Sequence, residues 1–215
     1  LAAEALEAAR RSLDGWQHVG LDEALVTQLP ILRAKAQFLV GASLRDLGRP
    51  AEAFAAFEAA AGAYTSLVAT RNEESLLRDQ AASRHCAADA LEELGRVESA
   101  ADSFQVAADL RDCICERFPR KAAHRSDAAG SWGRLAAILD RLQRLPAAAA
   151  AFRRAIGRAE ESLAIGGNEA QLRSRLADYH RQLTEVNRRL SNTAPTLSLD
   201  TTRGMQPTAE PEFIP

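Results

Sequence analysis

Two short groups of side chains are the candidates for chemistry in this chain. His85 and Cys86 are adjacent, and a histidine that contacts a cysteine can activate the thiol as a nucleophile. Adjacent residues on a helix point about 100° apart, however, so we do not expect these two to form a hydrogen-bonded pair. Cys113 and Cys115 lie roughly 200° apart on a predicted helix and cannot hold one metal ion together. We therefore predict no catalytic residues, and that the chain is not an enzyme.

Motifs for cofactors and metals are also missing from the sequence. It contains no glycine-rich phosphate loop, no paired cysteines with zinc spacing and no His-Glu pair at helical metal spacing. The histidines are scattered over separate predicted elements, at His18, His85, His124 and His180. We predict that the chain binds no cofactor and no metal.

Composition indicates a helical protein of a reducing compartment. Hydrophobic residues make up 47% and aromatic residues only 5%, and much of the apolar share is Ala and Leu, which are strong helix formers. Three cysteines form no disulfide framework, which favours a cytoplasmic location. No apolar run approaches the roughly 20 residues that span a bilayer, so we expect no membrane partner. The chain begins at Leu1, already inside a helical pattern, and we expect it to be a fragment of a longer polypeptide.

Charge is unevenly distributed along the chain. Residues 1–116 carry 11 basic and 19 acidic side chains, residues 117–191 carry 15 and 7, and the tail from Asn192 carries 1 and 3. The net charge is only −2, and no basic patch is interleaved with aromatic residues, so we expect no nucleic-acid partner. The acidic front and basic rear could stack arrays head to tail, attract two different partners, or be solvated faces without a role. No oligomeric state follows from them.

The main signal is an internal repeat of 47–48 residues. Three segments align, at 44–57, 91–104 and 139–152. Each has a leucine four residues before a turn residue, an alanine five after it and a phenylalanine nine after it. The turn residues are Gly48, Gly95 and Gln143, and the phenylalanines are Phe57, Phe104 and Phe152.

These spacings describe a helix hairpin that cannot bury its apolar face alone. Apolar positions three and four apart form one face of a helix. Gly48 and Gly95 can adopt the left-handed conformation that ends a helix, whereas Gln143 in the third unit is typical of a helix that ends in another way. Pro50 and Pro146 suit the first turn of the next helix. We expect each phenylalanine to fill the gap between one hairpin and the next.

The pattern resembles the tetratricopeptide repeat (TPR) family over roughly residues 28–165. The usual period of that family is about 34 residues, so this chain is similar to a long-helix bacterial variant of about 47 residues per repeat. The resemblance implies an all-α fold, a right-handed superhelical array of antiparallel helix hairpins (a TPR-like α-solenoid). It also implies a function in protein–protein interaction.

We predict four segments along the chain. Residues 1–26 are a partial upstream repeat and link, and Gly15, Gly20 and Pro30 leave the end of that link open. Residues 27–165 form three TPR-like hairpins, pairing 27–47 with 50–71, 74–94 with 97–117, and 121–142 with 146–164. Residues 166–191 form a C-terminal capping helix, with Asn168 and Gln171 as a capping box. Residues 192–215 are predicted to be a disordered tail.

The resemblance places the partner-binding residues on the concave face, which the first helix of each hairpin lines. The residues that the repeat register places there are Lys35, Phe38, Ala42, Arg45, His85, Asp89, Glu92, Gly133, Ala137 and Asp140. Phe38 and Ala42 stand where family members that clamp the acidic end of chaperones carry polar residues, so we predict against chaperone docking. The small residues Ala42, Gly133 and Ala137 either leave room for a bulky helix or extended peptide, or allow the helices to close the groove.

Two functions are compatible with these features. The leading hypothesis is a scaffold that binds a peptide or partner domain on the concave face. The alternative is a regulatory arm of a larger bacterial signalling protein, such as a serine/threonine protein kinase, acting on its own catalytic domain.

Overall fold

The computed structural model describes residues 2–15 and 23–193, and within them it contains eight α-helices and no strand. Each helix packs mainly against the helices before and after it in the chain, as in an α-solenoid. The predicted all-α solenoid is therefore confirmed. The helices are α1 (Ala2–Gly15), α2 (Glu23–Asp46), α3 (Pro50–Thr70), α4 (Glu74–Glu93), α5 (Val97–Arg117), α6 (Ala122–Arg141), α7 (Leu145–Ala164) and α8 (Glu169–Thr193).

The ends of the array differ in detail from the sequence-based expectation. Helix α2 begins at Glu23, before the expected residue 27, and continues through Pro30. A proline inside a helix removes one backbone hydrogen bond, and the residues on both sides keep the helix continuous. At the other end α8 continues to Thr193. The predicted link falls partly on residues 16–22 and the predicted tail mostly on residues 194–215, which lie outside the described residues.

All three hairpin turns share one geometry. Gly48, Gly95 and Gln143 have positive φ angles of 70°, 72° and 58°. In each turn the following arginine donates its backbone N–H to the leucine carbonyl five residues earlier, at 2.9 Å, which is the Schellman arrangement. The expectation that Gln143 marks a different helix end was wrong. Gln143 adopts the left-handed conformation although its β-carbon makes that conformation costly.

The repeated phenylalanines form the centre of the solenoid. Phe57 and Phe104 are 0% exposed and Phe152 is 1% exposed, and Phe57 shares a core cluster with Ala87 and Ala90 of the next hairpin. A β-carbon built on Gly41, the small residue seven before the first turn, would lie 2.8 Å from the ring of Phe57. Ala88 and Ala136, the equivalent residues in the next units, are buried completely. Small residues at this position therefore allow each ring to lie close to a helix backbone.

Helix α8 closes the array with a single apolar stripe. Leu172, Tyr179 and Val186 are buried against the core formed by α6 and α7. Its first turn is capped by Asn168, whose Oδ1 accepts a hydrogen bond from the backbone N–H of Gln171 at 3.2 Å. Within the described part of the chain, no helix has both the length and the apolarity needed to cross a membrane.

Candidate functional site

The first helices of the hairpins, together with α8, share one surface, which we call the first-helix surface and define by the exposed residues of α2, α4, α6 and α8. Among the residues predicted to bind a partner, Lys35 is exposed and Gly133 is buried. The other eight are half-buried, namely Phe38, Ala42, Arg45, His85, Asp89, Glu92, Ala137 and Asp140. Two grooves lie on this surface.

The first groove lies between α2 and α4 and has a volume of about 310 Å³. Lys35, Phe38 and Leu39 line it from α2, and Arg78, Asp79 and Ala82 line it from α4. Tyr64 of α3 contributes from the second helix of the same hairpin. Leu39 is 57% exposed, the largest exposed fraction among the large apolar residues described. This end of the first-helix surface is therefore partly apolar.

The second groove, which we call the arginine groove, has a volume of about 510 Å³ and extends over α6 between α4 and α8. Gly130, Gly133 and Ala137 line it from α6, and the absence of larger side chains there leaves the space open. The remaining lining residues are His85, Arg111, Ser126, Asp127, Arg134, Arg175, Tyr179 and Gln182. Of the small residues that the sequence placed on the concave face, Gly133 and Ala137 line this groove.

The space left by the missing side chain of Gly133 is shared between the groove and the Tyr179 ring. A β-carbon built on it would lie 2.5 Å from the Tyr179 ring, so this tyrosine fills part of the room that the glycine leaves. The hydroxyl of Tyr179 donates a hydrogen bond to the carbonyl of Ala129 at 3.1 Å. Gly133 therefore serves the docking of α8 as well as the surface on which the sequence placed it.

Three guanidinium groups of the arginine groove differ in how they are paired. Arg134 contacts Asp89 at 2.7 Å and Glu92 at 2.6 Å. Arg111 donates through Nη1 to the carbonyl of Asp127 at 2.8 Å and to the hydroxyl of Ser131 at 2.6 Å. Arg175 has only long contacts, of 3.4 and 3.5 Å, with Ser126. Within residues 2–15 and 23–193, neither Arg111 nor Arg175 has a carboxylate within 4.0 Å.

His85 belongs to the same network as a neutral ring. Its Nδ1 lies 2.9 Å from the hydroxyl of Ser131, and its ring packs edge-on against Phe104 at 5.1 Å. Burial, followed by the nearby arginines, lowers the pKa of His85 to about 3. A neutral imidazole keeps one ring proton, and here Nε2 faces Asp89 at 3.8 Å while Nδ1 faces the donor Nη1 of Arg111 at 3.4 Å. This arrangement favours the proton on Nε2, in which case Ser131 donates to Nδ1 while it accepts from Arg111. His85 thus bonds to Ser131 on the next hairpin, and burial raises the pKa of the neighbouring Cys86 thiol.

Four other predicted residues join successive first helices through ion pairs. Asp89 lies between Arg45 at 3.7 Å and Arg134 at 2.7 Å, and Glu92 also contacts Arg141. Asp140 binds Arg189 of α8 at 2.6 Å. Exposed pairs of this kind contribute about 0–1 kcal/mol each. Arg45, Asp89, Glu92 and Asp140 therefore have bonding partners within the array, and a ligand would have to share them.

No group of three or more His, Cys, Asp or Glu side chains within the described residues is arranged to hold a metal ion. Cys113 is exposed and Cys115 is buried, and burial raises the pKa of the Cys115 thiol to about 11.

Sequence reasoning missed Arg111 and Arg175. It considered only the first helices of the three hairpins, whereas Arg111 belongs to α5, the second helix of a hairpin, and Arg175 belongs to α8. The repeat itself contained a signal for Arg111. With the register that aligns the phenylalanines, Tyr64, Arg111 and Ala159 are equivalent, so a charged residue stands where neighbouring units have a tyrosine and an alanine.

Comparison with known proteins adds information on the fold. No family model matches the chain, and no curated protein matches its sequence. BtubC (BKLC) from P. vanneervenii has a similar solved structure with a TM-score of 0.54 and 12% sequence identity, covering 99% of this chain and 80% of that one. MamA matches with a TM-score of 0.41 and 15% identity, covering 79% of this chain and 86% of that one. At these identities the similarity to BtubC concerns the fold alone, and that fold is an α-solenoid of helix hairpins.

Proposed function

We propose that this chain is a protein-interaction scaffold that binds a peptide segment of another protein on the first-helix surface. The observation that carries this proposal is the arginine groove of about 510 Å³, to which α6 presents the small residues Gly130 and Ala137. Its volume lies within the range of ligand-binding clefts, roughly 300–1,000 Å³, and its mostly polar lining suits a polar or charged segment of a peptide. The exposed Leu39 in the neighbouring groove adds apolar surface that a peptide would cover.

In this proposal the chain contributes binding and no chemistry of its own. It requires no cofactor, and a cytoplasmic location is consistent with three cysteines that are all unpaired. A repeat array suits this role because its stacked helices hold the surface side chains in fixed relative positions.

A groove-filling variant tests the proposal. A phage-displayed library of random twelve-residue peptides is selected on the wild-type chain, and each enriched peptide is then measured for binding to Gly130→Phe. A β-carbon at Gly130 meets only the end of Arg175, at 3.8 Å, and Gly130 lines the groove, so a phenyl group at this position adds bulk to the binding surface. We expect at least tenfold weaker binding to this variant.

The matched control is Gly157→Phe on α7, where a β-carbon meets nothing within 4 Å. It adds the same ring to a second helix, outside the first-helix surface, and should leave binding unchanged. The proposal is contradicted if the library yields no enriched peptide, or if the peptides bind Gly130→Phe as well as they bind the wild-type chain.

A further inference from the structure

Arg111 places a charge at a repeat position that is otherwise part of the core. Its equivalents, Tyr64 and Ala159, are 1% and 0% exposed. Burial lowers the pKa of the Arg111 guanidinium, and the attraction of the nearby carboxylates of Asp127 and Asp89 offsets this only in part. A desolvated cation costs free energy unless an anion or several acceptors compensate it. The two neutral acceptors of Arg111, Asp127 O and Ser131 Oγ, provide part of that compensation.

The balance of charge in the arginine groove is positive. Arg134 is paired with Asp89 and Glu92, while Arg111 and Arg175 lack a carboxylate within 4.0 Å in the described part of the chain. The acidic side chain that lines this groove is Asp127, which is exposed. Its carboxylate attracts Arg111 electrostatically, and its backbone carbonyl accepts a hydrogen bond from Arg111. Two cations thus face the groove against one carboxylate.

The donors of Arg111 are only partly used. Both of its hydrogen bonds to oxygen come from Nη1, and in the described residues no acceptor is bonded to its Nη2 or Nε. A guanidinium has five N–H donors in a planar fork, and this fork matches the two oxygens of a carboxylate. Arg175 reaches the same groove from α8 and adds a second guanidinium, whose contacts with Ser126 are long, at 3.4 and 3.5 Å.

We propose that the arginine groove binds an acidic peptide, with Arg111 and Arg175 both donating hydrogen bonds to one of its aspartate or glutamate side chains. This inference rests on the proposed function and deepens it by naming the chemistry of the partner. The ligand is a peptide rather than a longer polyanion because the neighbouring groove exposes Leu39 by 57%, an apolar surface that a continuous line of negative charge would not cover. The partly apolar groove beside α2 instead suits an apolar residue of the same peptide.

The experiment uses the same random twelve-residue library on the complete chain. Enriched peptides should contain Asp or Glu more often than the unselected library. Fluorescence anisotropy then compares each peptide with its Glu→Gln or Asp→Asn version on the wild-type chain, and we expect the neutral version to bind at least fivefold more weakly.

Variants of the chain assign the effect to the groove. Arg175→Gln should weaken the binding of acidic peptides at least fivefold. The contact of Arg175 with the carbonyl of Ser126 is long, at 3.4 Å, so we expect this variant to fold as the wild-type chain does. Arg173→Gln is the matched control, because Arg173 lies on the same helix but pairs with Glu169 on the exposed side, and it should leave binding unchanged. Asp127→Asn removes the competing carboxylate and should tighten binding two- to threefold.

Several results would overturn the inference. The first is a set of enriched peptides without an excess of acidic residues, and the second is equal behaviour of Arg175→Gln and Arg173→Gln. If the enriched peptides have no excess of acidic residues but bind Gly130→Phe more weakly than they bind the wild-type chain, the inference fails while the proposed function stands. Inorganic phosphate at 10 mM should compete no better than chloride of equal ionic strength; stronger competition would assign the groove to phosphate groups instead.

Discussion

The aromatic ring of Tyr179 lies against the backbone of Gly133, so closely that a β-carbon on this glycine would be 2.5 Å from the ring. The contact joins α6 to α8 at the edge of the arginine groove. It explains why a residue that disfavours helices stands in the middle of α6, since only glycine permits this approach.

We expect Gly133→Ala to lower the free energy of unfolding by about 1–3 kcal/mol, because the added methyl group must displace the Tyr179 ring. Urea denaturation followed by circular dichroism measures this change. Gly62→Ala is the matched control, since Gly62 is exposed on α3 and a β-carbon there meets nothing within 4 Å. That substitution should raise the free energy of unfolding by about 0.5–1 kcal/mol, because alanine favours helices. Equal effects of the two substitutions would contradict the close contact.

The central phenylalanine should contribute more to stability than any surface residue nearby. We expect Phe104→Ala to lower the free energy of unfolding by about 3–5 kcal/mol, because Phe104 is 0% exposed and its loss leaves a cavity. Val106→Ala, two residues along the same helix, should change it by less than about 0.5 kcal/mol, since Val106 is 48% exposed. Chemical denaturation of both variants tests the comparison, and a similar loss for both would argue against the repeat core described above.

In the third turn, the backbone strain at Gln143 is linked to a hydrogen bond between its side chain and Arg189. Gln143 has a φ of 58°, and its Oε1 accepts a hydrogen bond from Arg189 at 2.8 Å. Gln143→Gly relieves the left-handed strain, about 1 kcal/mol, but loses that bond, so we expect little net change in the free energy of unfolding.

In an Arg189→Gln background the bond is already absent. Gln143→Gly should therefore stabilise that background by about 1 kcal/mol. A double-mutant cycle of unfolding free energies measures the difference. The same effect of Gln143→Gly in both backgrounds would show that Arg189 does not compensate for the strain.

The low pKa of His85 predicts that the stability of the chain depends on pH. Burial and the nearby Arg111, Arg134 and Arg45 lower the pKa of His85 from 6.5 to about 3, while Asp89 faces its Nε2 at 3.8 Å. Between these pH values the unfolded chain binds a proton that the folded chain does not bind. The free energy of unfolding therefore falls as the pH falls below 6.5, by up to about 1.4 kcal/mol per pH unit.

The variant His85→Gln isolates this contribution from that of the carboxylates. Between pH 7 and pH 5 the wild-type chain should lose roughly 2 kcal/mol more stability than His85→Gln does. Urea denaturation at both pH values provides the measurement. His180→Gln, at an exposed position on α8, should instead retain the wild-type dependence. Parallel pH profiles for the wild-type chain and His85→Gln would mean that His85 does not enter the folded state as a neutral ring.

Much of the fold follows from local spacing. Leucine, alanine and phenylalanine at fixed distances from Gly48 and Gly95 define helices whose apolar faces must meet. The burial of Phe57 and Phe104 then follows from the repeat, because each hairpin can cover its apolar face only against the next one. Helix boundaries were also accessible, since Pro50 and the turn glycines mark them locally.

The arginine groove depends instead on how neighbouring helices lie against each other. Arg111 is distant in sequence from Ser131 and Arg175, and only the stacking of α5, α6 and α8 brings the three side chains to one groove. Likewise, nothing in the sequence around Gly133 indicates whether this glycine leaves an open surface or makes room for the Tyr179 ring.

By itself the sequence determined that this chain is a stack of helix hairpins, because periodic apolar positions and turn residues act over short distances. The tertiary structure decided which polar side chains share a groove and which are paired within the array. Helix-crossing geometry sets those distances, and a shift of a few ångströms between helices would decide whether Arg111 and Arg175 meet one ligand or none.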